Sequence, residues 1–83
     1  MKSVHTDEYS QFLQLMIAAR KDAKITQQQL ATALHKPQSY VSKYERGERR
    51  LDVVEFLNIT KVLKADPHCI IEELRKKLFA SPD

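Results

Sequence analysis

The sequence is poor in residues that cross-link, loosen or break a chain: 83 residues hold one cysteine, one glycine and three prolines. A single Cys69 excludes an intrachain disulfide and points to a reducing, cytoplasmic setting. So little Gly and Pro argues against a turn-rich β-fold and against a long disordered linker. No apolar run approaches the ~18 residues of a membrane span, so no membrane partner is expected. Met1–Ser10 is polar and acidic, unlike a signal peptide. A chain of this length makes one domain, residues 1–83, and buries roughly 64% of its unfolded surface, with no room inside for a substrate cavity. No Ser-His-Asp order, phosphate loop or paired-carboxylate site stands out. His5, His35 and His68 are far apart and lack the regular four-ligand spacing of a structural zinc site. No enzyme activity, cofactor or metal is expected.

What the chain does have is a localised charge. Between Lys36 and Arg50 lie five basic residues (Lys36, Lys43, Arg46, Arg49 and Arg50) against Glu45 and Glu48, which accounts for the whole net charge of +3. The rest of the chain sums to zero. A positive patch on a neutral body suits a polyanionic partner, although a solvated charged face has the same composition.

Hydrophobic periodicity predicts an all-α domain of five helices. The first starts near Thr6, a candidate N-cap followed by Asp7 and Glu8, and runs to Ala23 or Lys24. Its apolar stripe is Tyr9, Phe12 or Leu13, Met16, Ala19 or Arg20, and Ala23. The second opens on the capping box Thr26-x-x-Gln29, buries Leu30, Ala31 and Leu34, and ends near Leu34. The third runs from Pro37 or Gln38 to Arg46, with Val41 and Tyr44 inward, Tyr40 on the shoulder and Gly47 as the left-handed residue that closes it. The fourth begins at Asp52, with Glu55 completing a second capping box, and has a core stripe of Val53, Phe56, Ile59, Thr60 and Leu63. Asp66-Pro67 opens the fifth, about 67–79, with Ile70, Ile71, Leu74 and Leu78 apolar and a frayed tail from Ala80 to Asp83. Cys69, near its start, is read as a buried or inert thiol, although the helix dipole there acts to lower a thiol pKa.

The third helix has an unusual outer face. Gln38, Ser39, Ser42, Lys43 and Arg46 fall at i, i+1, i+4, i+5 and i+8, one continuous strip of amide, hydroxyl and cationic groups without an acid. A helix that merely faces water normally mixes Glu with Lys. The two or three residues joining the second and third helices force a sharp turn between short helices. That is the helix-turn-helix layout, whose second helix can enter the DNA major groove.

Residues 26–47, TQQQLATALHKPQSYVSKYERG, resemble the helix-turn-helix of the lambda repressor/Cro type, the XRE family. The likeness extends from about Arg20 to Ile71. Ala31 holds the small-residue position of the first motif helix, Val41 and Tyr44 hold the apolar positions of the second, and Val41–Arg49 matches the pattern V/I-S-x-x-E-x-G-x-R. Two positions depart from the family pattern: His35 stands where Gly is usual at the turn, and Pro37 replaces the Ser or Thr N-cap of the recognition helix. The resemblance implies base contacts from Gln38, Ser39, Ser42 and Lys43. The Gln amide suits adenine and the Lys ammonium guanine. It also implies an ion pair between Arg20 and Glu45. Phosphate contacts are expected from Gln27, at the N-terminus of the second helix, whose free N–H groups and dipole favour anions, with Tyr40, Arg46 and Arg49 as further candidates and Arg50 after them.

The expected function is a sequence-specific regulator of transcription, bacterial or phage in type, that binds double-stranded DNA as a homodimer. Ile71, Leu74 and Leu78, with the end of the fourth helix, are the candidate dimer interface; a fifth helix folded back on the monomer core is the alternative. An antitoxin or adapter of the same fold, bound to a toxin or other protein partner, is the second functional reading, and contact with polymerase is compatible with the first.

Overall fold

The computed structural model describes residues 7–80, and among them there are five helices and no strand: α1 Asp7–Asp22, α2 Gln27–Ala33, α3 Gln38–Glu45, α4 Val53–Leu63 and α5 Pro67–Phe79. Thr6, His5 and the tail residues 81–83 lie outside the described residues. The links between helices are four, four, seven and three residues long.

At seven residues, α2 is well below the length at which an isolated helix persists in water, so it depends on its cap and its packing. The cap is reciprocal: the Thr26 hydroxyl accepts from the Gln29 N–H at 3.0 Å and the Thr26 N–H donates to Gln29 Oε1 at 2.9 Å. The packing comes from Leu30 and Ala31, both fully buried, and the small Ala31 lets the neighbouring helix α3 approach closely. Asp52 and Glu55 cap α4 in the same way, at 2.7 and 2.9 Å. Asp66 accepts from the His68 N–H at 2.9 Å to start α5, with Pro67 in the first turn.

Four helix ends share one closure. After α2, His35 takes a left-handed φ of 59°, its N–H donates to the Thr32 carbonyl, and the Lys36 N–H reaches back to the Ala31 carbonyl at 2.9 Å. The same pair of bonds closes α1 at Lys24, α3 at Gly47 and α4 at Lys64, with φ of 59°, 79° and 57°. Only Gly47 is a glycine; each of the other three carries a Cβ in a region that costs about 1 kcal/mol.

The core is one cluster drawn from all five helices, led by Met16, Leu30, Val41, Tyr44, Ile59 and Ile70. Phe12 packs against Phe56 with ring centroids 5.7 Å apart. Thr60 is buried, and its hydroxyl donates to the Leu57 carbonyl at 3.0 Å. The Tyr9 hydroxyl accepts from the Leu51 N–H at 3.0 Å, fastening the α3–α4 link to α1.

Three sequence expectations need correction. Val53 is not core but 71% exposed, because the first turn of α4 projects past the cluster and leaves Asp52, Val53 and Val54 in solvent. The apolar line of α5 is Ile70, Leu74 and Leu78, at intervals of four; Ile70 is buried and the two leucines are half-buried toward α1, in a groove with Tyr9 and Phe12. Ile71 lies off that line and is exposed. Its exposed apolar neighbours come from the start of α4, not its end, where Leu63 is buried and Val62 half-buried. Finally, Cys69 is exposed, and its thiol lies 3.5 Å from the Asp66 carboxylate. That hydrogen bond, followed by the negative charge of Asp66, pushes the thiol pKa up, opposite to the pull of the helix dipole.

Candidate nucleic-acid interface

The seat of α3 is fixed before its outer face is considered. Val41 and Tyr44 are fully buried beneath it, and Gly47 ends it in the left-handed turn described above. Pro37 provides no side-chain cap, and in the first turn the Tyr40 N–H donates to the Pro37 carbonyl at 3.0 Å. Opposite the buried pair, Gln38, Ser39, Lys43 and Arg46 are exposed and Ser42 is half-buried, its hydroxyl donating to the Ser39 carbonyl at 3.3 Å. One helix face thus presents the four base-reading candidates together.

At the back of α3, Arg20 and Glu45 meet. Arg20 Nε donates to Glu45 Oε2 at 2.7 Å and Nη2 to Oε1 at 3.2 Å, with only 11% and 5% of the two side chains exposed. The remaining arm of the guanidinium donates to the Ile25 carbonyl at 2.9 Å. Arg20 therefore ties α1, the α1–α2 link and α3 to one point. Gln27, at the start of α2, joins the group: its Nε2 donates to Glu45 Oε1 at 2.8 Å, and Gln38 Nε2 donates to Gln27 Oε1 at 3.4 Å. Gln27 is thus held between the ion pair and the first residue of the exposed face.

The cationic candidates are less free than the sequence implies. Arg46 donates to Glu48 through two nitrogens at 2.8 and 3.2 Å. Hydrogen bonding to Arg46 holds the Glu48 carboxyl below its usual pKa, and Glu48 raises that of the Arg46 guanidinium. Arg49 is bound to Glu55 at 2.6 Å, and the pairing holds the Glu55 carboxyl down at about 2. Arg49 also lies 4.8 Å from the Tyr40 ring centroid, and Lys36 Nζ lies 5.3 Å from the same ring. Burial, then the nearby Glu55 carboxylate, pushes the Tyr40 hydroxyl pKa up. Arg50 turns toward α1 and covers the Tyr9 ring at 4.3 Å. Among the described residues Lys36 and Lys43 are in no ion pair.

Sequence reasoning therefore missed Glu48 and Glu55 as partners of the phosphate candidates, and Lys36 as a neighbour of Tyr40. Glu48 was visible inside the basic window, two residues from Arg46. Spacing marks Glu55 only as a cap, yet its two oxygens do two jobs, Oε1 accepting from the Asp52 N–H and Oε2 from Arg49. Among the described residues no three His, Cys, Asp or Glu side chains gather where a metal ion could be held.

A helix-turn-helix family model, HTH_3, matches residues 16–68, which span α2, α3 and α4 entirely. No curated protein matches the chain. Among solved structures, an XRE-family like protein from Pseudomonas syringae pv. tomato str. DC3000 superposes with a TM-score of 0.80 at 43% sequence identity, covering 84% of this chain and 85% of that one. The lambda repressor-like arrangement of five helices, the turn at His35 and the matched segment all agree, and the chain belongs to the XRE-type helix-turn-helix family.

Proposed function

We propose that this protein is a sequence-specific, double-stranded DNA-binding regulator of transcription that acts in the cytoplasm as a small homodimer on an operator. The observation that carries this reading is the acid-free face of Gln38, Ser39, Ser42 and Lys43 on a helix seated by Val41 and Tyr44. In this reading α3 enters the major groove, where Gln38 and Lys43 meet base edges. Gln27, Tyr40, Arg46 and Arg49 take phosphates. Arg46 and Arg49 then exchange Glu48 and Glu55 for phosphate oxygens, which lowers the net gain from each contact.

Dimerisation supplies the second half-site, about 34 Å from the first. The proposed contact is α5, where Ile71 is exposed and Leu74 and Leu78 are half-buried. None of the described helices is long and apolar enough to cross a membrane.

The deciding experiment is selection from a random double-stranded DNA pool at about 150 mM salt, where purely electrostatic binding is weak. An inverted repeat is the expected product. A single half-site keeps the DNA reading and removes the dimer. No enrichment by a folded protein overturns the reading in favour of an adapter or antitoxin bound to another protein. One observation favours that second reading: Val53, Leu57, Pro67 and Ile71 line an exposed, mainly apolar groove of about 580 Å³ between α4 and α5.

A further inference from the structure

Among the described residues five large apolar side chains stay in solvent: Val53, Val54, Leu57, Ile71 and Phe79. Three of them, Val53, Leu57 and Ile71, line one groove of about 580 Å³ between α4 and α5, together with Phe56 and Pro67. Phe79 stands apart in the last turn of α5, 70% exposed. It cannot serve that groove in its own chain. It lies eight residues beyond Ile71 on one continuous helix, about 12 Å further along the axis at roughly 1.5 Å per residue. The chain thus carries an open apolar groove and an exposed aromatic ring, and the rigid length of α5 holds them apart.

The helix face between them suits a second copy. His68, Ile71, Glu72, Arg75 and Phe79 are all exposed and fall at i, i+3, i+4, i+7 and i+11, one side of α5. Two such faces laid antiparallel about a two-fold axis near Arg75 bring Phe79 of each copy level with Ile71 of the other, since both lie four residues from that centre. The charges do not oppose this approach. Arg75 donates to Glu72 at 3.0 and 2.7 Å, so the pair that lies beside the axis is neutral. A buried Phe removes on the order of 150 Å² from water, and a two-fold makes the contact twice. We propose that the α4–α5 groove of each protomer receives Phe79 of a second copy, in a reciprocal exchange that forms the homodimer. The proposal rests on the homodimer reading and names the two surfaces that meet. Val53, Leu57 and Ile71 surround the incoming ring, which gives the start of α4 a part in the contact.

Sedimentation of the full chain without DNA tests the contact, with variants alone and mixed. Phe79→Ala removes the ring and leaves the groove. Leu57→Glu puts a carboxylate into the groove and leaves the ring. Each variant alone is expected to dimerise roughly 10-fold or more weakly than the wild type. Mixed, they form one intact seat, the groove of the first variant with Phe79 of the second, so the mixture associates more tightly than either alone. An apolar contact without this reciprocity gives a mixture no tighter than its components. If Leu57→Glu does not fold, Val53→Glu replaces it, at a position 71% exposed where an acid suits the first turn of α4. A folded Phe79→Ala protein that dimerises like the wild type, or a mixture no tighter than its parts, overturns the proposal while the homodimer stands. A wild type that stays monomeric well above micromolar instead overturns the homodimer reading and leaves the groove to a partner of another sequence. The two failures are therefore distinct.

Discussion

Arg49 lies over the ring of Tyr40, 4.8 Å from its centroid, and is held there by Glu55. The cation is placed but not free. Replacing Glu55 with Gln keeps the capping oxygen that accepts from the Asp52 N–H and releases the guanidinium. The expected result is tighter DNA binding with a salt dependence about unchanged, since Arg49 meets the same phosphate without first giving up Glu55. Titration of a fixed duplex at several salt concentrations measures both.

The same pair makes a statement about pH. The folded carboxyl of Glu55 titrates at about 2, against an ordinary value of 4.5. A depressed carboxylate adds stability that is fully present above its unfolded pKa and is lost as pH falls through the folded one. The stability difference between wild type and Glu55→Gln should therefore be constant from pH 7 to 5 and shrink between about pH 4.5 and 2. With both groups partly in solvent the difference is small, about 0.2–1 kcal/mol. Urea unfolding across that pH range tests the window.

The Arg20–Glu45 pair is mostly buried, and breaking it has a larger effect. Arg20→Ala is expected to cost about 3–5 kcal/mol, because it leaves the Glu45 charge uncompensated. The reversed pair, Arg20→Glu with Glu45→Arg, should recover only part of the loss. A glutamate at position 20 restores the charge match but cannot donate to the Ile25 carbonyl. Recovery of none of the lost stability, measured by thermal or chemical unfolding, would count against the pair as a clamp.

His35→Gly should stabilise the domain by about 1 kcal/mol, since it removes a Cβ from a φ of 59°. Lys64→Gly should act in the same direction, less a share for the freer unfolded chain. DNA affinity is expected to stay unchanged in both, which separates turn strain from recognition.

For the proposed dimer, Ile71→Glu should give a monomer at concentrations where the wild type sediments as a pair. Leu74→Ala should instead lower stability by about 1–2 kcal/mol, since Leu74 already lies against α1. A wild type that stays monomeric well above micromolar removes the dimer.

The helices were legible because their signals are local. Thr26 with Gln29, Asp52 with Glu55, and Asp66 before Pro67 each mark a helix start, and each forms the cap its spacing predicts. Left-handed closure was legible at Gly47 but carried no mark at Lys24 or Lys64, since lysine gives no sign of the conformation that packing imposes on it. The outer strip of α3 followed from periodicity. The carboxylates that bind Arg46 and Arg49 did not, because Glu55 reaches Arg49 across a link whose path no periodicity encodes. Val53 misled for a related reason: helical spacing gives the direction of a side chain but not where the core beneath it stops.

The short links have a kinetic meaning as well. No connection between consecutive helices exceeds seven residues, so little loop-closure entropy opposes assembly. Helical domains built from such local contacts fold in microseconds to milliseconds. Synthesis of 83 residues at about 5–20 residues per second takes roughly 4–17 seconds. Folding is then far faster than translation, and the supply of competent protein after a change in expression follows the ribosome rather than the fold.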